Sequence, residues 1–172
     1  TDRISRPPKD NDGDTVVGLD LKYGVTNNLT ADFTYNTDFA QVEIDNQQVN
    51  LTRFSLFFPE KREFFLEGQS IFDFGGASSG GNNAGGITPL LFFSRRIGLN
   101  SGRVIPIQGG GRLTGRAGAF TVGAMNVQAD DDVLSRTPST NFSVLRMRRD
   151  LLARSSVGVI YTGRSHATVG TD

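Results

Sequence analysis

Val17-Gly18-Leu19-Asp20-Leu21-Lys22-Tyr23-Gly24-Val25-Thr26-Asn27-Asn28-Leu29-Thr30-Ala31-Asp32-Phe33-Thr34-Tyr35 is the stretch that decides the fold class. Val17, Leu19, Leu21, Tyr23 and Val25 fall on one side of an extended chain, with Gly18, Asp20, Lys22 and Gly24 on the other. After the turn signal Thr26-Asn27-Asn28, Leu29, Ala31, Phe33 and Tyr35 alternate with Thr30, Asp32, Thr34 and Asn36. Two period-2 runs joined by a short polar link predict a β-hairpin.

The same pattern returns downstream. Gly111–Ala117 and Phe120–Val127 read as a second hairpin, with Arg112, Thr114 and Arg116 on one face and Phe120, Val122 and Ala124 on another. Residues 141–148 and 156–162 read as a third pair, with Val157, Val159 and Tyr161 on one side and Ser156, Gly158, Ile160 and Thr162 on the other. Shorter strand-like runs cover 90–97 and 104–107, so six to eight strands are expected. The predicted fold is all-β, an antiparallel meander of hairpins, such as part of an outer-membrane β-barrel would show. Such strands need only about 9–11 residues and hide half of them from lipid. A soluble sandwich produces the same alternation, and the two differ in which face is dry.

Between the first and second hairpins the pattern breaks. Residues 38–74 combine dense aromatics with dense charge; 47–57 could form a short helix ended by Pro59. The six phenylalanines from Phe54 to Phe72 need burial. This segment is therefore expected to pack against the sheet as a plug-like insert, either a constriction or a lid without a transport role. Residues 1–14 read as a linker and 75–86, made of Gly, Ser, Asn and Ala, as a flexible loop. The domain proper is then 15–172. The chain opens at Thr1 with no initiator Met, and the expectation is that it is an internal piece of a longer protein.

Composition narrows the function classes. There are 172 residues, 21 Gly, 13 Phe and no Cys, so disulfides and cysteine metal sites are excluded. No run of about 18 apolar residues exists, which leaves strands as the only means of crossing a membrane. Net charge is zero but uneven: residues 1–94 hold 7 basic and 13 acidic side chains, and residues 95–172 hold 11 basic, all Arg, and 5 acidic. The arginines alternate with apolar residues along strands, which argues for one face of a sheet and against a nucleic-acid-binding tail. The opposite charge of the two halves implies that they face each other.

Catalytic and metal signals are weak. Glu60, Glu63 and Glu67 could be read as paired carboxylates for glycoside hydrolysis, but ion pairing with Lys61, Arg62 and nearby arginines is the simpler reading. His166, the only histidine, sits in a polar stretch as a turn or surface residue. Asp10-Asn11-Asp12-Gly13-Asp14 lacks the later Glu of an EF-hand and, with Asp130-Asp131-Asp132, reads as loop chemistry. Gly109-Gly110-Gly111 has no Lys-Ser/Thr of a phosphate loop and reads as a turn. No catalytic set, metal site or cofactor is expected. The constellation worth following is Arg112, Arg116, Arg146 and Arg148 with Asp20 and Asp32, all on polar strand faces. They would form either a basic wall that attracts anionic solutes or docks the acidic insert, or ion pairs for structural balance.

Several motifs carry a family resemblance. Asn36-Thr37-Asp38-Phe39-Ala40-Gln41-Val42-Glu43 resembles an "NPDFxQVE" element, and Phe93-Ser94-Arg95-Arg96-Ile97-Gly98 a "YSRRIG" element. Between them, Phe57-Phe58-Pro59-Glu60-Lys61-Arg62-Glu63-Phe64-Phe65-Leu66-Glu67-Gly68 resembles "FFPEKRPFFLEG". These belong to an uncharacterised bacterial outer-membrane-type β-barrel domain that usually follows a family-nine-type carbohydrate-binding module. The resemblance covers nearly all of 15–165, and only Glu63 departs from the central motif, standing where the family usually has Pro. It implies a location in the bacterial outer membrane, with lipid as one partner and a carbohydrate or other polymer as another. Passage or surface anchoring linked to glycan uptake is the expected function, with a secreted sandwich that binds carbohydrate directly as the alternative.

Overall fold

The computed structural model describes residues 17–36, 60–75, 90–100, 103–133, 136–152 and 155–166. Its centre is one six-stranded antiparallel sheet, built from β1 (Leu19–Thr26), β2 (Leu29–Tyr35), β5 (Ile107–Ala117), β6 (Phe120–Ala129), β7 (Thr140–Leu152) and β8 (Ser155–His166), in the order β1-β2-β5-β6-β7-β8. The sheet is an open meander, with β1 and β8 at its edges. A two-stranded hairpin, β3 (Leu99–Asn100) and β4 (Arg103–Val104), lies outside it. The all-β antiparallel meander is thus as the alternation implies, and the three expected hairpins are β1–β2, β5–β6 and β7–β8.

Register places two contrasting rows side by side. Lys22, Asp32, Arg112, Met125, Val144 and Thr162 run across the sheet on one face. One residue along each strand, Tyr23, Ala31, Leu113, Ala124, Leu145 and Tyr161 run across the other. Successive side chains of a strand point to opposite faces, so these rows define a polar and an apolar side.

The apolar side is the uncovered one. Leu21, Tyr23, Phe33, Leu145, Val159 and Tyr161 are all exposed, Val159 by 68%. On the polar side Asp32, Thr34, Arg112, Thr114 and Arg146 are buried. This inverts the arrangement of a water-soluble half-sheet, whose apolar side is the covered one.

What covers the polar side is the insert between β2 and β5. Glu63–Leu66 form a single helical turn, α1, followed by a 3-10 turn at Gln69–Ile71 and another at Ser94–Arg96. Phe65, Phe72 and Ile97 from this insert pack with Ile107, Met125, Val127 and Val144 of the sheet to form the core, with Phe64, Phe92, Phe142 and Ile160 at its margin. Of the 38–74 segment, residues 60–74 are described, and Phe65 and Phe72 pack on the sheet. Phe57, Phe58 and Pro59, the helix expected over 47–57, the 1–14 linker and nearly all of the 75–86 loop lie outside the described residues.

Two expectations are corrected. Residues 90–97 form no sheet strand; they are extended coil ending in the Ser94–Arg96 turn. The carbonyls of Ser94 and Ile97 accept from the Arg62 guanidinium. Gly109-Gly110-Gly111 is the interior of β5 and no turn. Without side chains there, the Tyr35 and Phe33 rings lie over Gly109 and Gly111 on the apolar side, and the Phe64 ring over Gly110 on the polar side. Glu63 is the first residue of α1, the helical position where Pro is also favoured. The departure from the family motif therefore leaves the local backbone shape intact.

Candidate functional site

The centre of the polar side is a charge cluster around Arg112, whose side chain is 3% exposed as a residue. β5 places it opposite Asp32 of β2 and Met125 of β6. Arg112 Nη2 lies 2.7 Å from Asp32 Oδ2 and 3.0 Å from Glu67 Oε2, and Nε lies 3.2 Å from Asp32 Oδ2. Nη1 donates to the carbonyls of Phe64 and Glu67. Lys22 adds an ammonium that donates to Glu67 and sits 3.8 Å from Asp32. One guanidinium thus ties two strands to the turn after α1. Gly68, with φ of 69°, lets the chain reverse there against Thr114. The Lys22 hydrogen bond, then its charge and that of Arg112, hold the Glu67 carboxyl below the ordinary range despite some desolvation.

A second cluster joins the 60–68 and 93–98 stretches of the insert to each other. Glu60 and Arg62 form a two-pronged buried pair, Nε to Oε1 and Nη2 to Oε2, each at 2.8 Å. Ser94 Oγ donates to Glu60 Oε2 at 2.7 Å. Arg62 also donates to the Ile97 carbonyl at 2.7 Å and the Ser94 carbonyl at 2.9 Å, and stacks 4.1 Å above the Phe65 ring. Burial pushes the Glu60 carboxyl up, but the Arg62 hydrogen bonds and charge, with Ser94, outweigh it and hold it low. A carboxyl held low when folded binds fewer protons than when unfolded. The clip is therefore fully present above the ordinary value of 4.5 and is lost as pH falls through the depressed folded value. Amide hydrogen exchange at Ser94–Ile97, corrected for intrinsic rates, should speed up on going from about pH 7 to about pH 3. Glu60→Gln should flatten that dependence, and an unchanged slope in the variant would show that another group governs it.

The four arginines divide. Arg112 and Arg146 dock the insert: Arg146 Nε donates to the Asp73 carbonyl at 3.3 Å and its guanidinium lies 4.8 Å from the Phe74 ring. Arg116 and Arg148 share the polar face but are exposed, Arg148 paired with Asp150 at 3.0 Å. Asp20 lies on the same face at the β1 edge, opposite Thr34. The three glutamates do not converge on one point as a catalytic pair. Glu60 is taken by Arg62 and Ser94, Glu67 by Lys22 and Arg112, and Glu63 is exposed on α1. Lys61 is exposed beside them. His166 Nδ1 sits 3.1 Å from Thr140 Oγ1 at the end of β8. Asp130 accepts from Gln108, and Asp132 closes a small loop with Thr137, which fits loop chemistry. Among the described residues no group of acids or histidines is arranged to hold a metal. The 10–14 acidic run lies outside them.

Sequence reasoning missed the Glu60–Arg62–Ser94 clip and the aliphatic island of Met125, Val127 and Val144 on the polar side. The island was legible as alternation within 120–129, where Met125 and Val127 fall opposite Val122 and Ala124. The clip spans 34 residues between Glu60 and Ser94 and has no local signal.

No curated protein and no solved structure matches the chain. The family described as Domain of unknown function (DUF5916) matches residues 3–108, which takes in the first hairpin, both motifs of the insert and the start of β5. With more than half of its length matched, the chain belongs to the DUF5916 family.

Proposed function

We propose that this sheet is a segment of an outer-membrane β-barrel wall, with lipid against the apolar side and the 60–74 and 90–98 segments folded into the lumen as a plug. The observation that carries it is the inversion of burial: among the described residues the polar side holds the insert and nothing packs on the apolar side. Among the described residues of the six strands, Arg149 is the one charged side chain on the apolar face, near the β7–β8 turn and 5.4 Å from the Phe120 ring. That is the distribution expected of a lipid-facing band, with charge confined to its margin.

Two further features support the reading. Strands β5 to β8 run 10–13 residues, enough to cross the hydrocarbon core at a tilt. The links Asn27-Asn28 and Gly118-Ala119 lie at one end of the sheet, where β7 also ends and β8 begins, and the ends of β2 and β6, which lead into longer connections, lie at the other. Outer-membrane barrels separate short turns from long loops in this way. The role that fits is passage or surface anchoring of a carbohydrate or other polymer, without catalysis by these residues. No helix among the described residues is long and apolar enough to span a membrane, which bears only on helical spans.

The test is membrane fractionation of the full-length protein, followed by gel migration with and without boiling. Outer-membrane recovery with a heat-dependent shift is expected. A soluble protein with no shift would replace this reading with the secreted sandwich that binds carbohydrate directly.

A further inference from the structure

Arg146 is a buried guanidinium, 6% exposed, with no ion pair among the described residues. Nε donates to the Asp73 carbonyl at 3.3 Å; Nη1 donates to the Met147 carbonyl at 3.0 Å and the Val159 carbonyl at 3.2 Å. Among the described residues Nη2 donates to nothing, and Arg146 forms no ion pair. A buried charge held by neutral carbonyls and the Phe74 ring, 4.8 Å away, keeps a cost that an anion would offset.

Its surroundings are shaped for one. The guanidinium lies over Gly158 so closely that a Cβ there would come 2.3 Å from Nη1 and 2.9 Å from Nη2. Gly158 is also the β8 partner of Arg148, so the two guanidinium-bearing residues share one patch of the polar face. Arg116 lies on the same cross-strand row as Arg148 through Thr121, roughly 10 Å away across two strand spacings. Arg116 makes no side-chain hydrogen bond or ion pair among the described residues. Among the described residues, Asp150 is held by Arg148 at 3.0 Å, Asp73 has a partner, and Glu67 is taken up at the Arg112 cluster.

We propose that Arg146, Arg148 and Arg116, over the floor made by Gly158, form a binding site for a phosphate- or sulfate-type oxyanion of a soluble solute or polymer. Planar guanidinium forks match the paired oxygens of such groups. The site faces away from the apolar side, so a membrane lipid headgroup is not its source. Its place in a lumen rests on the barrel reading; the site itself does not.

The experiment is calorimetric titration of the full-length protein in detergent micelles with inorganic phosphate, then with dextran sulfate against neutral dextran. Saturable phosphate binding at one site per chain is expected, with no response to neutral dextran. Losing one charge-assisted contact should weaken binding about tenfold or more. Arg148→Gln, at an exposed position, and Gly158→Ala, which displaces the Arg146 guanidinium, should both do so. Arg149→Gln on the opposite face should leave it unchanged. Tighter binding of dextran sulfate than of phosphate identifies a polymer ligand; the reverse identifies a free ion. A folded wild type with no saturable phosphate binding overturns the proposal, as does equal binding by wild type and Arg148→Gln. A water-soluble protein that still binds phosphate through Arg148 would retain this site and remove only the barrel.

Discussion

Leu145→Arg should abolish recovery of the protein from the outer membrane. Leu145 lies near the middle of β7 on the apolar row, between Ala124 and Tyr161, and is exposed. An arginine on the lipid face of a barrel costs about 2–4 kcal/mol at the bilayer midplane. That corresponds to a shift of roughly 30- to 700-fold in the insertion equilibrium. Leu21→Arg, on β1, should act in the same direction. Arg148→Gln, on the opposite face, should insert normally. The measurement is the heat-shifted fraction in outer membranes at matched expression. Full recovery of Leu145→Arg with an unaltered shift would mean that this face does not meet lipid.

Arg112→Met should release the insert. The substitution keeps much of the side-chain volume but removes five donors from a buried position. Asp32 would keep only Lys22, at 3.8 Å, and the Phe64 and Glu67 carbonyls would lose their shared donor. Breaking one side of a buried ion pair costs about 3–5 kcal/mol because the partner charge remains. The sheet should survive, since its ladder and the aliphatic island do not depend on Arg112, while the α1 turn should lift away. Limited trypsin digestion at exposed Lys61 should therefore accelerate strongly, with the strands still protected. Arg112→Lys should rescue only part of this, because one ammonium cannot reach Asp32, Glu67 and two carbonyls together. In a pore, the same variant should raise solute flux. Wild-type resistance at Lys61 in Arg112→Met would show that the insert is held by its phenylalanines alone.

The parts of this fold legible in the sequence are those written in neighbouring residues. Leu19 to Tyr35 alternate with period 2, and the hairpin follows. The same holds for Arg112, Thr114 and Arg116, which share a face as expected. Residues 90–97 misled because a short apolar run has no period that separates strand from coil. Its backbone is decided by Arg62, more than thirty residues away. The same limit applies to the site. That four arginines share a polar face could be read from alternation. That Arg112 and Arg146 hold the insert while Arg116 and Arg148 stay exposed depends on which strands adjoin and where α1 lands.

The long excursion between β2 and β5 also sets an order of events in time. Strands β5 to β8 are joined by links of two, ten and two residues and can zip together locally, whereas β2 must meet β5 across some seventy intervening residues. Closing that loop costs more entropy than closing a hairpin, and non-local pairing is slow. The β5–β8 meander therefore forms first and offers its aliphatic island to Phe65 and Phe72. The β1–β2 hairpin docks afterwards, delivering Asp32 and Lys22 to an arginine already in place. On that route the insert is captured before the sheet beside it is complete.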